Sequence, residues 1–81
     1  MPRVKLAGYE KKYIEKKISE YIIGRMAVKK VRQADLAEAL DMSQPMVGKK
    51  VNTGRMSAKE FFIIMNVLEA PTADIERLVH Y

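Results

Sequence analysis

Apolar positions recur with a helical period along most of the chain. Between Tyr9 and Met26, the residues Tyr13, Ile14, Ile18, Tyr21, Ile22 and Met26 share one face, and Lys12, Lys16 and Glu20 fill the other. This pattern predicts an amphipathic first helix with its stripe turned to a core. Leu36, Ala37 and Leu40 predict a second, shorter helix over residues 33–40. Ser43 is a helix-capping residue type, and Gln44 and Pro45 follow it. Proline is accommodated in a first turn, where the amide it lacks would have had no partner. A third helix therefore opens at Ser43, buries Val47 and Val51, and stops at Asn52-Thr53-Gly54, where glycine accepts the left-handed conformation that ends helices. Ser57 with Glu60 three residues on forms a capping box ahead of Phe61, Met65 and Leu68. That predicts a fourth helix to about Glu69. Pro71 and Thr72 begin a last short helix with Ile75, Leu78 and Val79 inward and Tyr81 at its end. Five helices without a strand make the expected fold class all-α.

A chain of 81 residues allows one domain, which buries roughly 60% of its unfolded surface. That domain is expected over residues 9–81, after a flexible basic arm over residues 1–8 carrying Arg3 and Lys5. The six methionines, at helical spacing, are expected to fill the core. With no cysteine, disulfides, thiolate chemistry and cysteine zinc sites are excluded, and the cytoplasm is the expected location. The longest apolar runs, such as Phe61 to Met65, fall far short of the roughly 20 residues of a membrane span, and no signal-peptide pattern opens the chain. The sole histidine, His80, has no Cys or His partner, and there is no glycine-rich phosphate loop. Neither an enzyme nor a cofactor, metal or small-molecule substrate is expected.

Charge changes the picture through its placement rather than through the net value of +5. Residues 1–33 hold ten Lys or Arg against Glu10, Glu15 and Glu20, and residues 34–48 hold only Asp35, Glu38 and Asp41. Lys49, Lys50, Arg55 and Lys59 then follow without an acid, and residues 60–81 are acidic again. Two basic zones therefore flank an acidic stretch. A nucleic-acid surface has this character, but so does an ordinary solvated one, so the motif has to decide.

The segment Gln33-Ala34-Asp35-Leu36-Ala37-Glu38-Ala39-Leu40-Asp41-Met42-Ser43-Gln44-Pro45-Met46-Val47 resembles the helix-turn-helix of the Cro/CI-type (Xre-like) repressors. That family commonly reads Gln-x-x-Leu-Ala-x-x-Leu-Gly-Val-Ser-x-x-x-Ile. The stretch from Val47 to Arg55 is similar to phage Cro proteins, and together the resemblance covers about half the chain. Its mechanics can be stated independently. Two helices crossing over a three-residue turn need a small residue where they touch, here Ala37. Leu36, Leu40 and Val47 supply the shared core, Met42 plugs the turn, and Ser43 caps the second helix. Two departures stand out. Asp41 occupies the usual glycine position of the turn, so a positive φ is expected at some conformational cost. Met26 and Val51 stand where many relatives pair an arginine with a glutamate, so an apolar pair replaces an ion pair.

The resemblance implies a five-helix, lambda-repressor-like domain that binds double-stranded DNA through the major groove. It places Gln44, Pro45, Gly48 and Lys49 at the base edges. Gln44 can pair bidentately with adenine, Lys49 can donate to guanine, and Pro45 faces a thymine methyl. Gly48 is expected to let the backbone approach DNA closely. Phosphate contacts are expected from Gln33, Ser43, Lys50, Asn52, Thr53, Arg55, Ser57 and Lys59, which position rather than specify. The implied function is a phage or mobile-element transcriptional repressor, dimeric on an inverted-repeat operator. Ile75, Leu78, Val79 and Tyr81 form the expected dimer interface, unless they close the core instead. Two alternatives stay open: an antitoxin-type autoregulator, and a protein-interaction module that has kept the helix-turn-helix core.

Overall fold

The computed structural model describes residues 7–79, and the side chains of residues 12–78. Arg3, Lys5, His80 and Tyr81, and the side chain of Val79, lie outside that range. Five helices follow one another: α1 (Ala7–Lys29), α2 (Gln33–Leu40), α3 (Gln44–Thr53), α4 (Ala58–Val67) and α5 (Thr72–Val79). No strand occurs among the described residues, and no helix there is long and apolar enough to cross a membrane. Helix α1 runs past both expected ends, beginning at Ala7, inside the arm expected over residues 1–8, and continuing beyond Met26.

The ends of the helices follow from local chemistry. Helix α2 starts without a Ser, Thr, Asp or Asn cap; Asp35, three residues on, reaches back to accept the Arg32 amide at 2.9 Å. Ser43 accepts the amide of Met46 at 3.4 Å and caps α3. Ser57 and Glu60 form the expected capping box, with bonds of 3.1 and 2.9 Å. Helices α1, α2 and α4 are each followed by a left-handed residue that is not glycine: Lys30 at φ 57°, Asp41 at 56° and Glu69 at 53°. In all three, the next amide bonds the carbonyl five residues back: Val31 to Met26, Met42 to Ala37 and Ala70 to Met65. This is the Schellman arrangement, which satisfies carbonyls the helix leaves open. Asp41 thus has the positive φ expected of the turn.

The core consists of Ile22, Leu36, Ala37, Val47, Val51, Phe61, Ile64, Met65, Leu68 and Leu78. Helix α1 packs on α3 and α5, and α2 packs on α3 and α4. Met26 is partly buried against this core, and Val51 is buried within it. Tyr13 departs from the expected inward stripe. It is 47% exposed, with the Lys17 ammonium 5.5 Å from its ring centre. In α5, Leu78 is buried and Ile75 is packed against the core. Those two residues close the fold, which limits what they offer to a partner chain.

One arginine ties α1 to the end of α4. The Arg25 guanidinium donates to the carbonyls of Leu68 at 3.1 Å and Glu69 at 2.8 Å. Nearby, Tyr21 donates to Asp74 at 2.7 Å. Burial, and then that bond, raise the tyrosine hydroxyl above its ordinary pKa.

Candidate nucleic-acid interface

Helix α3 is braced at its C-terminal end by one turn of α1. Gly54, left-handed at φ 74°, presses so closely on α1 that a Cβ there would stand 2.0 Å from the Glu15 carbonyl oxygen. The buried Ser19 hydroxyl donates to the Asn52 carbonyl at 3.2 Å. Arg55 Nε lies 3.4 Å from Glu15 Oε1. Glycine at 54 is therefore required twice, by backbone conformation and by contact. Thr53 completes this end, donating to the Lys49 carbonyl at 2.7 Å and accepting the Arg55 amide at 3.3 Å.

Only Val47, Gly48 and Val51 of α3 are buried. With 100° between successive residues, Pro45, Met46, Lys49 and Thr53 fall on the outer face. All four are exposed, as are Gln44 and Asn52. Met46, 51% exposed, was not among the expected site residues. Together with Lys49, Lys50, Thr53 and Arg55 it lines a shallow groove of about 360 Å³. Its apolar exposure cannot be recognised from sequence, where methionine reads as core.

The two flanks of this face differ from the sequence reading. Gly48 is buried rather than open: the Gln33 side chain lies over it, and a Cβ at 48 would meet Gln33 Oε1 at 3.2 Å. The bare backbone at 48 serves packing between α2 and α3. On the other flank, Lys50 is only 25% exposed, and its ammonium lies 3.2 Å from the Glu60 carboxylate. Lys50 is therefore already neutralised, where the sequence reading had it open to phosphate. Glu60 is held below its ordinary pKa first by the Ser57 amide and then by Lys50, against the opposing effect of burial.

Among the remaining expected contacts, Lys59 and Asn52 side chains are exposed and make no hydrogen bond or ion pair among the described residues. Arg55 is 70% exposed although paired with Glu15. Ser43 and Ser57 accept amide protons in their caps, and each hydroxyl retains its own proton to donate. The side chains of Gln33, Gln44 and Lys49 likewise have no bonded partner among the described residues. The carboxylates of Glu15 and Glu60 were missed, because nothing in the sequence marks an acid as the partner of a cation 40 or 10 positions away.

No protein-family model, curated protein or solved structure matches the chain.

Proposed function

We propose that the protein is a sequence-specific double-stranded DNA-binding regulator, a cytoplasmic transcriptional repressor of the phage or mobile-element type. In this reading α2 and α3 act as a helix-turn-helix, and α3 enters the major groove. The observation that carries it is the contrast within α3: its far end is braced against α1, while Gln44, Pro45, Met46 and Lys49 stand exposed and the polar side chains of Gln44 and Lys49 have no partner among the described residues. Gln44 then pairs with adenine N6 and N7, and Lys49 donates to guanine O6 and N7. Met46 joins Pro45 as an apolar surface for a thymine methyl. Arg55, Lys59, Asn52 and the cap hydroxyls of Ser43 and Ser57 hold the phosphates on either side. Because one short helix reads few bases, the protein acts as a homodimer on an inverted repeat.

Selection of bound duplexes from a random pool tests this directly. The expected product is an inverted repeat with half-sites about one helical turn apart. No enrichment of any sequence would contradict the DNA reading, and an enriched site lacking two-fold symmetry would contradict the dimer.

A further inference from the structure

Gly48 has an ordinary helical backbone, so its conformation does not call for glycine, and glycine weakens a helix interior relative to alanine. What the missing Cβ leaves room for is the Gln33 side chain. Its Oε1, Nε2 and Cδ lie 3.2, 3.5 and 3.7 Å from where that atom would stand. Gly48 follows Gln44 by four residues and so shares its stripe on α3. Gln33 is half-buried, and its carboxamide makes no hydrogen bond among the described residues. A donor and an acceptor thus lie in the space beside Gly48 with no partner among the described residues.

We infer that Gly48 is a positioning residue, which seats the Gln33 carboxamide on the edge of α3 so that an amide from α2 meets the duplex where α3 has no side chain. The inference rests on the DNA-binding reading. A carboxamide there donates to a phosphate oxygen or pairs with an adenine edge. The contact at 3.2 Å is tight for a Cβ, but the neighbour is the far end of a flexible side chain. Alanine at 48 is therefore tolerated by the fold while it displaces the amide.

The test compares Gly48→Ala, Gln33→Ala and the double variant by melting and by affinity for a selected duplex. Gly48→Ala should melt at the wild-type temperature or about 4 °C above it. Its Kd should nevertheless rise about tenfold, the loss of one good hydrogen-bonding group. Gln33→Ala should lose about as much, and the double variant no more than Gln33→Ala alone. The Gln33 side-chain amide resonances of the free protein should shift in Gly48→Ala. Affinity lost equally for selected and random duplex assigns the amide to phosphate, and loss on the selected duplex alone assigns it to a base; either supports the seat. Wild-type affinity in Gly48→Ala, losses that multiply in the double variant, or unmoved Gln33 resonances would each overturn it. If the wild-type protein binds no duplex, the DNA reading fails and this inference with it; if it binds but the losses are uncoupled, this inference alone fails.

Discussion

At its C-terminal end α3 meets α1 through Gly54, Ser19 and the Arg55–Glu15 pair, whereas its first turn, Gln44 to Met46, is exposed and carries the local bond from the Met46 amide to Ser43 at 3.4 Å. One end is tied by polar and backbone contacts between residues far apart in sequence, and the first turn by a cap three residues long, ahead of the buried Val47. The difference separates stability from recognition within one ten-residue helix. Substitutions at the braced end should unfold the protein, and substitutions at the open end should change what it binds.

The largest expected effect is at the brace. Gly54→Ala forces a Cβ into the Glu15 backbone at a left-handed position, and should destabilise by about 3 kcal/mol or more, read from denaturant melts. A loss below about 1 kcal/mol would mean that α1 and α3 do not meet as described. Next comes Ser19→Ala, which strands the Asn52 carbonyl and should destabilise by about 1 kcal/mol.

Titration probes the flank between α3 and α4. Since Glu60 is held below the usual glutamate value of 4.5 in the folded protein, its contribution is complete above the unfolded value and is lost as pH falls through the folded one. Between about pH 5 and about pH 3, wild-type stability should therefore fall more steeply than that of Glu60→Gln. Equal slopes would show that Glu60 is not bound to Ser57 and Lys50. The same variant releases Lys50, so its duplex binding should gain about one unit of salt slope. Asp41→Gly is the smallest change, and relief of the left-handed strain should raise stability by about 0.5 kcal/mol. A decrease would place the α2–α3 turn in another register.

Those features written within one helical turn were legible in the sequence. Ser43 before Pro45, Gly54 after Thr53, and Ser57 with Glu60 each bond to amides or carbonyls three or four residues away, so residue type and spacing suffice. Asp41 was readable through the resemblance, as an Asp in a glycine position. Lys30 and Glu69 were not, because neither residue type signals a left-handed conformation. Their conformation accompanies the Schellman bonds, and at Glu69 it also accompanies the Arg25 contact from α1. The exposed residues of α3 were largely anticipated, at Gln44, Pro45, Lys49 and Thr53. Its flanks were not: whether Lys50 is open depends on Glu60, and what lies over Gly48 depends on Gln33. Those facts live in the packing of α2, α3 and α4, and periodicity within a single helix carries no information about them.

Affinity for a selected duplex, its single-base variants and random duplex, in the wild type, Gln44→Ala and Lys49→Ala, tests the division of labour in α3 most directly. Both variants should melt within about 0.5 kcal/mol of the wild type, since neither side chain is bonded among the described residues. Each should lose discrimination at one base position, by about 1 to 3 kcal/mol, while leaving the other positions read as before. Uniform loss across all duplexes, or loss of stability in step with loss of binding, would contradict the assignment of the open end of α3 to base reading.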